Sequence, residues 1–308
     1  MKRTFSGYYQ DLDICQVIKT DNAIIVLDST VLCNLYGFNP NVWKPILDML
    51  EEKKDLLWLP YNMAYDYHKN IIPRLTQKIQ FLTSIKNRLK QSEELLKNIP
   101  IEHSIFHKYT IESKNIFQTL IKEIAYLRSK GKKNSELREA IASLYAGRIG
   151  VSDKDPNTGS FNIKSYPSVN EADAITGNKS ITSNKCPDSS LQNKDDIILH
   201  TLINLSNDKN KDIIYVTSEP SQYWSIFIGN TSFGPNPDHQ NYFQKNTSGH
   251  LLYCCPFAAF MSNLSCALNK ELDNEITYNL KQFSYGYSLQ NGNNEYFLNI
   301  SYINIPLV

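Results

Sequence analysis

Residues 22–38 read NAIIVLDSTVLCNLYGF. Within them, residues 23–27 form a short, continuously apolar and partly β-branched run, the pattern of a strand covered on both faces by helices in a parallel sheet. Asp28 stands at the carboxyl end of that run and is followed at once by two hydroxyls, Ser29 and Thr30. In open α/β sheets ligands bind at that edge, so an acid there suits a metal or a polar substrate. The other reading makes Asp28 a cap for a helix starting near Val31. The stretch by itself supports both.

Outward from this strand, short apolar runs at residues 56–59, 213–217 and 251–255 alternate with helical patterns, which predicts crossover connections and a mainly parallel sheet. The segment NPNVWKPILDMLEEKK is amphipathic, and Asn39-Pro40 suits a cap with proline in the first turn. From residue 61 to about 148 the apolar spacing is helical almost throughout, predicting an insertion over about 72–148 that forms a hairpin standing above the sheet edge. Residues 152–193 are rich in Ser, Asn, Asp, Lys and Gly, and read as a long flexible loop. Residues 275–308 alternate aromatic and polar side chains around NGNN, the pattern of a β-hairpin. The expected organisation is therefore one domain over residues 1–270 and a β-rich extension over 271–308. An uncovered edge of that length invites pairing, so the extension is expected to pack on the domain's own sheet or on a second copy.

Composition removes several function classes. With 308 residues, 41% of them hydrophobic and 20% charged, the chain has the make-up of a globular protein with a sizeable core. No stretch reads as a membrane span, and the start MKRTFSGYYQDLDICQ lacks the apolar segment of a signal peptide, so a cytoplasmic protein without membrane partners is expected. The six cysteines show no C-x-x-C spacing, and buried thiols are expected rather than zinc ligands or disulfides. A net charge of +1 exerts no global pull on nucleic acid, although a balanced total can conceal a basic face.

The acids form a pattern. Asp28 ends the first strand, Asp66 lies a little beyond the second, Asp195 and Asp196 open the helix DDIILHTLINL, and Glu219 follows the strand DIIYVTSEP. All are predicted at one sheet edge. Carboxylates converging from separate elements repel one another unless a cation sits among them. Oxygen donors without His or Cys favour Mg2+ or Mn2+, and that combination suits phosphodiester hydrolysis.

In this order, FSGYY, IIVLDSTVLCNLYGF, LLWLPYNMAYDYHKN, DDIILHTLI, IIYVTSEPSQYW and LLYCCPFAAFMSNL resemble the PIN-like nucleases, specifically their branch with a large helical insertion. The resemblance covers roughly residues 1–267 with gaps. It implies a three-layer α/β sandwich around a mainly parallel sheet and a metal-dependent nuclease usually acting on RNA. The family's acids map onto Asp28, Asp66, Asp196 and Glu219, with Thr30 and Thr217 in support. Thr30 stands where the family usually has Asn, Asp66 where it has Glu, and Glu219 where it has Asp, while Asp195 replaces a common Gly.

The resulting expectation is an endoribonuclease cutting single-stranded RNA, with Asp28 and Asp196 as primary ligands of Mg2+ or Mn2+, Asp66 and Glu219 completing the site, and Thr30, Asp195 and Thr217 supporting it. Arg128, Lys130, Lys132 and Lys133 in LRSKGKK are either phosphate contacts or a solvated helix end. Tyr223 and Trp224 offer rings for a base, with packing the stronger reading for Trp224. Two rival classes are a catalytically impaired protein that binds nucleic acid or protein, and a phosphatase of the haloacid dehalogenase type. The latter needs an acid where Thr30 stands.

Overall fold

The computed structural model describes residues 13–97, 103–150, 194–218, 223–228 and 231–285. Three strands form a parallel sheet in the order β1 (Ala23–Leu27), β2 (Asp212–Thr217), β5 (Leu252–Pro256). The register runs Ala23 to Asp212 through Leu27 to Val216, and Ile213 to Leu252 through Thr217 to Pro256. Every residue of β1 and β2 is buried, as the apolar runs 23–27 and 213–216 require of strands covered on both faces. A separate antiparallel pair, β3 (Ser225–Ile228) and β4 (Thr231–Pro235), follows β2.

The expected strand over residues 56–59 is reduced to two isolated bridges. Leu57 pairs with Ile25 and Leu59 with Ile149, and the Trp58 amide donates to the Ile25 carbonyl at 3.0 Å. A short 3-10 turn at Lys54–Leu56 takes up the beginning of the apolar run, leaving too few extended residues for a ladder.

Helix α1 (Ile14–Lys19) precedes the sheet, and α2 (Ser29–Asn34) and α3 (Pro40–Glu51) follow β1. Asn39 caps α3, its side chain accepting from the Val42 amide at 3.2 Å, with proline in the first turn as the sequence predicts. The long helical segment consists of α4 (Tyr61–Leu96), α5 (His103–Lys130) and α6 (Glu136–Leu144), with α4 and α5 packed on each other as a hairpin. Met63, Tyr67, Ile71 and Leu75 recur at four-residue spacing on α4 and are buried, the stripe that seats this helix. At its base, the hydroxyls of Tyr67 and Tyr36 lie 3.0 Å apart, joining α4 to the chain just beyond α2. Helices α7 (Lys194–Lys209), α8 (Pro237–Asn246) and α9 (Phe257–Leu268) complete the layers.

The C-terminal extension departs from its reading. Asn274–Tyr285 is a helix, α10, packed against α3 and α9 through buried Ile276 and Leu280. Ile276, Leu280 and the half-exposed Thr277 stand at three- and four-residue spacing, which the aromatic and polar alternation of the same segment masks. The NGNN turn and the rest of the extension, like the expected flexible loop over 152–193, lie outside the described residues. No helix among the described residues is long and apolar enough to cross a membrane.

Candidate functional site

Parallel strands place their carboxyl ends, and the amino ends of helices running back beside them, at one edge. Asp28 follows β1 there, its amide still donating to the Val216 carbonyl at 2.8 Å. Its side chain caps α2. One carboxylate oxygen accepts from the Ser29 amide at 2.8 Å and the Ser29 hydroxyl at 3.3 Å, and the other from the Thr30 amide and the Thr30 hydroxyl. At 5% exposure this carboxylate is almost wholly enclosed. The capping reading of Asp28 is therefore correct as local structure. A cap rarely requires so deep a position, and the charge of Asp28 also reaches a second acid.

That second acid is Asp195, in the first turn of α7, where the helix dipole favours negative charge. Burial pushes its carboxyl above the usual aspartate range, the nearby charge of Asp28 pushes it further, and a hydrogen bond from the Trp224 indole, 3.0 Å long, pulls it back. Asp196 beside it accepts a 2.6 Å hydrogen bond from the Tyr223 hydroxyl. Thr217 ends β2 buried next to the Asp28 turn. Glu219 lies outside the described residues.

Asp66 does not join this group in the expected way. It sits in the second turn of α4 and forms an ion pair with Lys194 at 3.0 Å. The charge of Lys194 also pulls the carboxyl of Asp195 down, so one cation acts on both acids. Among the described residues no three His, Cys, Asp or Glu side chains gather closely enough to hold an ion. The donors nonetheless suit a hard divalent cation in kind, because Asp28, Asp195 and Asp196 offer carboxylate oxygens.

A wall of aromatic rings backs the acids. Trp224, 3% exposed, packs on Tyr215 with ring centroids 4.6 Å apart, and Tyr223 stacks on His239 at 3.9 Å. His239 also contacts the Tyr223 carbonyl through Nδ1, and burial lowers its imidazole below the ordinary range. Trp224 is thus a packing residue whose one polar atom is spent on Asp195, the role its sequence context favours for it. Neither Lys194 nor His239 stands out in the sequence. The signal for Lys194 is its position directly before the acid pair, and for His239 there is none in spacing.

The basic segment divides. Arg128, Lys132 and Lys133 are exposed, whereas Lys130 is buried at 5% exposure and donates to the Tyr36 carbonyl at 2.9 Å and to the Phe38 carbonyl. Its ammonium lies 4.1 Å from the centre of the Tyr126 ring. Lys130 is therefore an anchor between α5 and the chain after α2, and its assignment to nucleic acid is corrected.

A family described as PIN like domain matches residues 24–239, more than two thirds of the chain. The chain belongs to the PIN-like domain family. The match begins within β1 and takes in the acid turn, the helical hairpin and the aromatic wall, while the third sheet strand, β5, lies beyond its end. Comparison with curated proteins and with solved structures returned no match.

Proposed function

We propose that this PIN-like protein is a metal-dependent nuclease that hydrolyses phosphodiester bonds of single-stranded RNA. The observation that carries the reading is the approach of Asp28 and Asp195, two carboxylates from separate elements held at one sheet edge and near enough for the charge of one to raise the other. Such a pair is unfavourable without a cation and useful with one.

Asp28 and Asp195 are the residues that would hold Mg2+ or Mn2+, with Asp196 beside them and Glu219, two residues beyond Thr217 in the chain, completing the set. Bound there, the ion would supply a water of lowered pKa and neutralise charge developing on the phosphate. The chain's own contribution is placement. Two amides and the hydroxyls of Ser29 and Thr30 hold the Asp28 carboxylate in one rotamer. The Trp224 indole and the Tyr223 hydroxyl do the same for Asp195 and Asp196. Thr30 thus performs for Asp28 the orienting role that the family usually assigns to Asn. Arg128, Lys132 and Lys133 are available on the surface for phosphate contacts.

The ion pair between Asp66 and Lys194 favours a second reading, in which catalysis is impaired and the protein binds nucleic acid or a protein partner. One assay separates them. The purified protein is expected to cut single-stranded RNA with Mn2+ or Mg2+, to stop in EDTA, and to slow by orders of magnitude as Asp28→Asn or Asp195→Asn. Cutting without metal, or undiminished cutting by both variants, contradicts the nuclease reading. A folded protein that binds RNA and leaves it intact under all metal conditions establishes the second.

A further inference from the structure

Cys15 on α1 and Cys266 near the end of α9 are separated by 251 positions in the chain, yet their sulfurs lie 2.7 Å apart. Cys15 is buried and Cys266 exposed, so one sulfur is held in place by packing and the other is open to reagents. The remaining described thiols offer no such pair. Cys33 points its sulfur at the Tyr67 carbonyl, 3.9 Å away, and Cys254 and Cys255 are neighbours on β5, whose side chains leave the strand on opposite faces.

We propose that Cys15 and Cys266 are a redox couple that closes to a disulfide, tying the helix before β1 to the helix after β5. The geometry supports this because α1 and α9 already pack together, and a bond between them needs only a small approach of two sulfurs in contact. The oxidant is a low-molecular-weight disulfide such as glutathione disulfide. The thiolate of Cys266 attacks one sulfur of the reagent, forming a mixed disulfide and releasing one reagent thiol. The Cys15 sulfur, after losing its proton to solvent, then attacks the Cys266 sulfur and releases the second reagent thiol. Two electrons pass from the protein to the reagent, and two protein thiols become one disulfide. The hydrogen bond from Cys15 to Cys266, followed by burial, raises the Cys15 thiol above its ordinary range, so Cys266 is the sulfur that meets the oxidant. This departs from the buried, unpaired thiols expected of the composition.

The test uses the full chain equilibrated with glutathione disulfide and then alkylated. Digestion with trypsin and chymotrypsin, cutting after Phe257 or Phe260 to part Cys266 from Cys254 and Cys255, followed by mass spectrometry, is expected to yield one linked peptide pair containing Cys15 and Cys266. Dithiothreitol should dissolve it, and Cys266→Ser should abolish it while keeping a cooperative melt. A link closing so long a loop restricts the unfolded chain, so the oxidised form should melt higher than the reduced form by on the order of 5 °C. No linked pair at equilibrium, or links distributed among other cysteines, overturns the proposal. So does a disulfide-linked peptide containing Cys15 that forms in equal yield in the Cys266→Ser sample, which would show that Cys15 pairs with another cysteine.

Discussion

At Asp28 a cap and, in the proposed site, a metal ligand fall to one side chain. Its carboxylate caps α2 and at the same time lies within electrostatic reach of Asp195. Asn can cap through its one oxygen but turns an amide nitrogen toward the donors of Ser29 or Thr30, so Asp28→Asn is expected to leave the metal-free protein folded at a cost of about 1–3 kcal/mol while removing a charge from the site. Thr30 makes a sharper test of the local network. Its hydroxyl bonds a buried carboxylate, so Thr30→Val should lower unfolding free energy by about 1–3 kcal/mol, and Thr30→Ser should restore most of it. Chemical denaturation of the three proteins measures this, and equal midpoints would mean that the hydroxyl is idle. The acid and its hydroxyl are both visible in the sequence as Asp-Ser-Thr after a strand, although that stretch alone leaves cap and site acid open. What was not legible is which acid of the pair at the start of α7 faces Asp28. Helix rotation decides that, and the position of the Trp224 indole sets it through contacts nearly thirty residues away in the chain.

At the scale of elements, Lys130 fixes the end of the helical hairpin to the core. Burial, and then the charge of Lys78, push its ammonium down to about 7, while Glu123 pulls it up. The two carbonyls that accept from Nζ and the Tyr126 ring favour the charged form, and together they allow a lysine to remain there. A lysine whose pKa falls on folding binds fewer protons in the native state. Its effect is a stability that grows as pH rises from about 7 toward the unfolded value and is lost as pH falls through about 7. Stability measured between those limits should therefore slope upward with pH, and Lys130→Met should flatten the slope. An unaltered slope would place the titration elsewhere. The position looked basic and solvated in the sequence because LRSKGKK carries no mark of the Tyr36 and Phe38 carbonyls, which come from ninety residues upstream.

The extension teaches a related point. Helix α10 buries Ile276 and Leu280 on α3 and α9, and Asn39 reaches Glu275 at 3.0 Å. Its helical spacing was hidden by the tyrosines of the same segment, half exposed at Tyr278. A chain ending at Lys270 should therefore be less stable than one ending at Tyr285, by about 3 kcal/mol or somewhat more for two buried aliphatic side chains. Both should keep the circular dichroism of a folded protein. Equal denaturation midpoints would show that α10 does not dock. By contrast β1 was legible to the residue and β2 to within one, since a strand buried on both faces has an unbroken apolar middle, and Asp212 blurs only the start of β2.

The whole molecule combines a PIN-like sheet, a helical hairpin and an acidic edge on which Lys194 pairs with Asp66 and acts on Asp195. If Asp28 and Asp195 share a divalent ion, that ion binds only the folded chain and stabilises it by an amount rising with concentration, about 2.7 kcal/mol at a hundredfold excess over the dissociation constant. Thermal melting of the parent, Asp28→Asn and Asp195→Asn across one Mn2+ series measures this directly. The account predicts a melting temperature that climbs with Mn2+ in the parent and scarcely moves in either variant. Equal rises in all three proteins, or a parent that does not respond, would contradict it.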